Sequence, residues 1–152
     1  PSLIMVFHPH VITLGKSYTM PFFDGLEAGG TIIINSASVL DLSQEELDNL
    51  AKLDAQVYYV PASEVAMEVS GTHLSTNIAM LGALYRLQQL PSLDSLESAM
   101  VERFGGSKFV ASGSTAALDD TVKEKFNKVS QMIEKNLEVI EKAGESMFQQ
   151  QR

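Results

Sequence analysis

Apolar and polar residues are distributed along the chain in blocks that predict strands and helices in turn. Three short apolar runs, Leu3–Phe7, Thr31–Asn35 and Gln56–Val60, are rich in β-branched or aromatic residues, as buried strands are. We expect Leu3–Phe7 to be an interior strand of the sheet, covered on both faces. Segments with helical spacing separate the runs, and this order predicts a parallel sheet with helices packed on its faces.

The two segments between these strands carry helix signals of different kinds. The spacing of apolar residues over 11–26 is helical, but Pro21 interrupts it. We therefore expect a helix that ends or kinks near Met20. The second segment opens with the capping box Ser43-Gln-Glu-Glu46, which predicts a helix that runs to about Leu53.

A nearly uncharged run, Gly71–Arg86, predicts a buried helix at the centre of the fold, after one or two helical turns over Ala62–Val69. Gly82 in the middle of this helix costs about 1 kcal/mol relative to alanine. Close contact with another backbone is the commonest reason to accept that cost, so neighbouring elements should pack tightly around the helix. Its apolar residues cover two sides, one with Leu74, Ile78, Leu81 and Tyr85 and the other with Met80, Leu84 and Leu87.

Polar side chains crowd the start of this central helix, at Thr72, His73, Ser75, Thr76 and Asn77. Free backbone N–H groups at a helix N-terminus bind a carboxylate or a phosphate, or they are capped by nearby hydroxyl and amide groups. The residue types favour self-capping, and anion binding is the alternative.

Two helices are predicted in the last third of the chain. Pro91 and Ser92 end one helix and cap the next, which stops at Gly105–Gly106 and is followed by a connector over Ser107–Gly113. One face of this helix carries Leu93, Leu96, Met100 and Phe104.

A long helix over Leu118–Ala143 is predicted next, and Gly144–Arg152 is expected to be a frayed tail. The helix is expected to pack back on the domain, with docking on a partner subunit as the alternative. We thus expect an α/β domain over residues 1–113 and a C-terminal helix with its tail over 114–152. The fold class is a three-layer, Rossmann-like, mainly parallel sheet with flanking helices. The apolar stripe of the long helix comprises Val122, Phe126, Val129, Ile133, Leu137 and Ile140.

Composition narrows the range of functions. The 152 residues suit one domain, and the net charge of −8 with eleven scattered Lys and Arg argues against nucleic-acid binding. The absence of cysteine excludes disulfides, a cysteine nucleophile and thiolate ligands for an iron–sulfur cluster. No apolar run approaches the length of a membrane span, so we expect a cytoplasmic protein without a membrane partner. A hydrophobic strand follows Pro1 almost at once, which leads us to expect an N-terminally incomplete domain.

Candidate chemistry concentrates where the predicted strands end, since functional loops of parallel sheets lie beyond the carboxyl ends of the strands. These ends are His8-Pro-His10, Asn35-Ser36 and Pro61-Ala-Ser63. His8 and His10 lack a carboxylate or thiol at metal-ligand spacing, so a role in the loop is favoured over a metal site. We assign no catalytic residue and no metal ligand to this chain.

Three motifs in a fixed order resemble the gamma subunit of 2-oxoacid:ferredoxin oxidoreductases. They are Gly-Leu-Glu-Ala-Gly-Gly-Thr-Ile-Ile-Ile-Asn over 25–35, Ser-Thr-Asn-Ile-Ala-Met-Leu-Gly-Ala-Leu over 75–84, and the helix with its flanks over 90–104. The Thr-Asn-x-x-Met-Leu-Gly-Ala core is the most specific of these motifs. The family's usual first strand and Gly-x-Gly-Gly-Gln-Gly loop have no counterpart in this sequence.

This resemblance implies a non-catalytic domain within an enzyme that oxidises a 2-oxoacid to an acyl-CoA. Thiamine diphosphate, iron–sulfur clusters and coenzyme A are then implied for the complex rather than for this chain alone. The implied partners are alpha and beta subunits, with a delta subunit as a further candidate, and ferredoxin as the acceptor.

Thr76 and Asn77 match the family motif and are candidates for contact with coenzyme A or a partner subunit. Thr72 and His73 join them from the helix-start argument alone. The alternative function is a stand-alone Rossmann-like binding or structural domain without redox chemistry.

Overall fold

The computed structural model describes residues 1–14, 20–89, 91–105 and 116–151, and its description of side chains leaves out 104–105, 116–123 and 125–126. The chain also contains a 3₁₀ turn over His73–Ser75 and a π-helical turn over Val101–Gly105. None of the described helices combines the length and the apolar character needed to cross a membrane. The strands are β1 (Leu3–Val6), β2 (Thr31–Asn35), β3 (Gln56–Val60) and β4 (Phe148–Gln149), and the helices are α1 (His10–Thr13), α2 (Gln44–Lys52), α3 (Ala62–Ser70), α4 (Thr76–Gln88), α5 (Leu93–Met100) and α6 (Ala116–Glu145).

The four strands form one sheet in the order β1-β2-β3-β4. Strands β1, β2 and β3 are parallel, with Ile4 opposite Ile32 and Ile32 opposite Val57, whereas β4 runs antiparallel to β3. The prediction of an interior position for the first strand is wrong, because β1 is an edge strand of the sheet formed by the described residues. A continuous apolar run indicates that both faces of a strand are buried. It does not indicate whether the strand is paired with a neighbouring strand at both edges.

Successive side chains of β2 point to opposite faces of the sheet and pack into two separate apolar layers. Ile32 and Ile34 pack with α1, α2 and residues 20–26 on one face of the sheet. Ile33 packs on the opposite face with α3, α4 and α6. The predicted three-layer α/β fold with a mainly parallel sheet is confirmed.

The early helices follow their local signals. The capping box of α2 is present, since Ser43 Oγ accepts from the Glu46 N–H at 3.2 Å and Glu46 Oε2 accepts from the Ser43 N–H at 2.8 Å. The helix predicted to end near Met20 is described only at its start, as α1, because residues 15–19 lie outside the described residues. Residues 20–26 form turns, with the Asp24 N–H donating to the Pro21 carbonyl at 3.0 Å.

The central helix begins at Thr76 rather than at Gly71, where the prediction began it. Gly71 adopts a left-handed φ of 74° and ends α3, as glycine does readily. The residues between them form the 3₁₀ turn His73–Ser75. The prediction that Leu74 belongs to the buried side is therefore wrong, because Leu74 lies in this turn and is 87% exposed.

Gly82 allows α4 and α6 to approach each other closely, as its position in mid-helix predicted. A Cβ atom built on Gly82 would lie 2.7 Å from the Ile140 Cα, a distance that real side chains do not tolerate. Gly144 stands on the other side of the same crossing, where a Cβ would lie 3.4 Å from the Gly82 carbonyl oxygen. Helix α6 thus packs back on the domain, with Val139 and Ala143 buried against the layer around α4.

The predicted stripe of α6 faces a smaller apolar cluster that also contains residues of α4 and α5. Leu93 is 41% exposed and takes little part in this packing. The predicted contributions of Phe104, Val122 and Phe126, and the predicted connector Ser107–Gly113, lie outside the described side chains and residues. The members of the cluster are Ile78, Leu81 and Tyr85 of α4, Leu96 and Met100 of α5, and Val129, Ile133, Leu137 and Ile140 of α6.

The prediction of a frayed tail is wrong for the described residues up to 151. Strand β4 extends the sheet, and the Phe148 ring stacks on Tyr59 with ring centroids 5.4 Å apart. The Gln150 N–H donates to the Val57 carbonyl at 2.8 Å, and the Tyr59 hydroxyl donates to Gln150 Oε1 at 2.5 Å. Two apolar residues, Met147 and Phe148, stand just before the polar glutamine run, and the stacking of Phe148 on the buried Tyr59 orders the segment.

Replacement of Gly82 with alanine tests the close helix crossing. In a helix, alanine is more favourable than glycine by about 1 kcal/mol. Overpacking of a close contact lowers the free energy of unfolding by about 1–3 kcal/mol. We expect a net loss of free energy of unfolding in urea denaturation, because the added methyl group meets the rigid backbone of α6. Gly144→Ala is the matched control and should cost less, since the nearest atom to its Cβ is the Arg86 Cβ at 3.1 Å. A Gly82→Ala protein more stable than the parent would contradict this account.

Burial raises the pKa of the Tyr59 phenol above its ordinary value of 10.0, and a hydrogen bond with the Leu40 backbone opposes the shift in part. The neutral Tyr59 phenol therefore makes its full contribution to the free energy of unfolding below about pH 10. This contribution is lost as the pH rises through the pKa of Tyr59 in the folded protein. We expect Tyr59→Phe to reduce the loss of stability above pH 10, measured as urea midpoints across that range. Tyr58→Phe, in the same strand, is the control for removal of a hydroxyl group.

Candidate functional site at the carboxyl edge of the sheet

The carboxyl ends of β1, β2 and β3 meet around the side chain of Asn35, the last residue of β2. Asn35 is only 6% exposed, so its amide needs partners within the protein. Its Nδ2 donates to the Phe7 carbonyl oxygen at 3.0 Å and to Ser63 Oγ at 2.9 Å. Its Oδ1 accepts from the Ser63 N–H at 3.3 Å. One amide thus ties the ends of β1 and β2 to the first turn of α3, which follows β3.

Thr76 joins this network from the first residue of α4. Its Oγ1 lies 3.5 Å from Ser63 Oγ, which also contacts Asn35. The sequence places Asn35 and Ser63 at strand ends and Thr76 at a helix start, and the structure brings all three together. Because these polar groups contact one another, the cluster fixes the start of α4 against the sheet.

The polar residues before and after Thr76 divide into those that cap the backbone and those that face outward. Thr72 Oγ1 accepts from the Leu74 N–H at 3.2 Å, and Asn77 Oδ1 accepts from the Ile78 N–H at 2.9 Å. His73, Leu74 and Asn77 are exposed. We call these three residues the helix-mouth surface. The favoured interpretation, self-capping, describes Thr72 and also Asn77 Oδ1, while the helix-mouth surface presents an imidazole, an isobutyl group and the Nδ2 group of the Asn77 amide.

A second polar network holds the same turn from the side of α6, and sequence reasoning found only Ser75 among its three members, missing Ser70 and Asn136. Ser75 Oγ donates to Asn136 Oδ1 of α6 at 3.1 Å and lies 3.0 Å from Ser70 Oγ of α3. Asn136 is 4% exposed. One signal was available, because Asn136 stands at helical spacing between Ile133 and Ile140, where the apolar stripe calls for a buried residue.

The two histidines after β1 form a loop contact. The His10 N–H donates to His8 Nδ1 at 3.3 Å, and the two rings lie 4.5 Å apart, centroid to centroid. Both residues are exposed. Within the part of the chain that the structure describes, no three side chains of His, Asp or Glu gather closely enough to hold a metal ion.

Comparison with protein-family models identifies a family that matches most of the chain. The model described as pyruvate ferredoxin/flavodoxin oxidoreductase matches residues 1–118. A crystal structure of pyruvate oxidoreductase subunit PORC from Thermotoga maritima superposes with a TM-score of 0.63 at 15% identity, over 99% of this chain and 66% of that one. At that level of identity the superposition supports the fold alone.

Curated relatives agree with the family model. The pyruvate/ketoisovalerate oxidoreductases common subunit gamma of Thermococcus kodakarensis is 32% identical over 108 residues, which is 70% of this chain and 53% of the relative. The equivalent subunit of Thermococcus litoralis is 28% identical over 80% of this chain and 62% of its own length. The 2-oxoglutarate synthase subunit KorC of Methanocaldococcus jannaschii is 29% identical over 60% of this chain and 46% of its own. The chain thus spans roughly half of the relatives that it matches.

Replacement of Asn35 with aspartate tests the network at the sheet edge. The carboxylate keeps the shape of the side chain but sets an oxygen against the Phe7 carbonyl oxygen, so the hydrogen bond to Phe7 is replaced by repulsion, whereas the Ser63 hydroxyl can turn to donate to the carboxylate. We expect the free energy of unfolding to fall by about 2–4 kcal/mol at neutral pH, because a buried charge faces a carbonyl oxygen that cannot donate to it. Asn127→Asp, at an exposed position of α6, is the matched control. Equal effects of the two substitutions would contradict the role of Asn35.

Proposed function

Because the chain belongs to the pyruvate ferredoxin/flavodoxin oxidoreductase family, we propose that it acts as a gamma-type, non-catalytic component of a complex that oxidises a 2-oxoacid to an acyl-CoA. The observation that carries this proposal is the family match over residues 1–118. The names of the relatives from two Thermococcus species, both gamma subunits, support it. The activity belongs to the whole assembly, since this chain corresponds to only part of each relative.

The chemical groups that such a reaction needs are assigned to the partner subunits. The donor set of this chain does not fit an iron–sulfur cluster, because its sequence contains no cysteine thiolate. In the complex, thiamine diphosphate supplies the carbanion-stabilising chemistry, and the clusters pass electrons to ferredoxin. This chain contributes shape and contact surface.

The helix-mouth surface is the part of this chain that we assign to contact with an alpha or beta subunit. Leu74 is 87% exposed, in a turn that hydrogen bonds hold in place. Leu74 is the most exposed large apolar side chain among the described residues, and its position beside an imidazole and an amide supports this assignment.

Contact with coenzyme A at the same place has weaker support. The phosphates of coenzyme A call for cationic side chains, and the stretch from Gly71 to Asn77 contains no Lys or Arg. The hydroxyls of Thr72 and Thr76 are engaged within the chain, at Leu74 and Ser63. We therefore propose that His73 and Asn77 contact a partner subunit and that Thr76 positions α4.

Replacement of Leu74 with aspartate tests this assignment in the natural full-length chain, co-expressed with the alpha and beta subunits of the same organism. We expect the affinity for the partner subunits to fall about tenfold or more, since a charge replaces a buried interface contact. The melting temperature of the isolated chain should stay within about 2 °C of the parent, because Leu74 is exposed before assembly.

Leu93→Asp is the matched control, since Leu93 is also an exposed leucine but lies at the start of α5. Assembly is followed by co-purification, and activity by 2-oxoacid-dependent reduction of ferredoxin. Oxidation of a 2-oxoacid by the chain without its partners would contradict a non-catalytic role. Unchanged assembly of Leu74→Asp would remove the helix-mouth surface from the interface.

A further inference from the structure

We infer that Asn136 of α6 is a positioning residue that sets the conformation of the 3₁₀ turn and thereby the presentation of the helix-mouth surface. The inference deepens the proposed function, on which its assembly arm rests. Its structural arm depends only on the contacts between α6 and the turn.

The anchor is a buried hydrogen bond between two distant segments of the chain. The Ser75 hydroxyl donates to Asn136 Oδ1 at 3.1 Å, and the two residues are 7% and 4% exposed. A buried hydroxyl that loses its acceptor keeps the full cost of desolvation. The turn therefore favours the one conformation in which Ser75 reaches α6.

Ser70 links this anchor to the end of α3. Its Oγ lies 2.7 Å from the Ala66 carbonyl oxygen and 3.0 Å from Ser75 Oγ. The single proton of Ser70 goes to the Ala66 carbonyl at the shorter distance, and the Ser70 oxygen packs against the Ser75 hydroxyl, whose proton goes to Asn136. The turn is thus held at both ends, with Gly71 and Thr72 between the two serines.

Helix α6 provides a rigid base for this anchor. Its backbone meets α4 at the Gly82 crossing, next to Ile140, one helical turn after Asn136. Lys142 also pairs with Glu68 of α3 at 2.5 Å. Because α6 is fixed to both α3 and α4, Asn136 reaches the turn from a defined position.

The location of Asn136 along the chain adds to the argument. The family model matches residues 1–118, and α6 spans Ala116–Glu145. The family's Thr-Asn motif at the start of α4 is therefore held in place by a helix that lies almost wholly beyond the matched residues. The contact surface is thus formed by the turn and the start of α4, whereas α6 sets its orientation.

Hydrogen exchange on the full-length chain tests the structural arm, with Asn136→Ala, Ser75→Ala and the double substitution. We expect each single substitution to speed exchange of the amides at 73–77 by roughly fivefold to tenfold relative to the later turns of α4. The double substitution should add little to either single one, because all three remove the same hydrogen bond. Val139→Ala is the matched control, since Val139 is buried on α6 in the layer that faces the sheet. It should lower stability without a selective effect on 73–77.

Each outcome supports or overturns a definite statement. Unchanged relative protection of 73–77 in both single variants, or fully additive effects, would overturn the inference. If the turn loosens and assembly with the partner subunits weakens, both the inference and the proposed interface gain support. If the turn loosens and assembly is unchanged, the inference stands and the proposed interface at the helix-mouth surface fails.

Discussion

The close crossing of α4 and α6 at Gly82 is the constraint on which the arrangement of this protein depends. Because the α6 backbone reaches the place where a side chain of α4 would stand, α6 covers the outer side of α4 while the sheet covers its inner side. The same approach brings Asn136 to Ser75. The close approach at Gly82 therefore determines both how α6 packs on α4 and how the polar residues at the start of α4 are held.

Most of the fold could be predicted from local signals, and the failures have physical reasons. A short stretch of sequence is enough to predict the capping box, the strands buried on both faces and the tight contact at Gly82. The edge position of β1 and the pairing of β4 depend on which strands meet in space, and no periodicity encodes that choice. Phe148 orders the tail through Tyr59, a partner far away in sequence.

The candidate site was predictable in position and less so in detail. Strand ends marked Asn35 and Ser63, and the helix start marked Thr72, His73, Thr76 and Asn77, but the division between capping groups and outward groups needed three-dimensional structure. Leu74, expected in the core, is an exposed member of the helix-mouth surface, because a 3₁₀ turn replaces the predicted first turn of helix. We propose that this surface, rather than a catalytic group, is the contribution of this chain to the complex.

Site-specific photo-crosslinking from position 74 in the assembled complex tests the central claim most directly. The account predicts a covalent product between this chain and an alpha or beta subunit, with no such product when the photoreactive group replaces the exposed Leu93 of α5. A complex that assembles and oxidises its 2-oxoacid while the group at position 74 reacts only with water would contradict it.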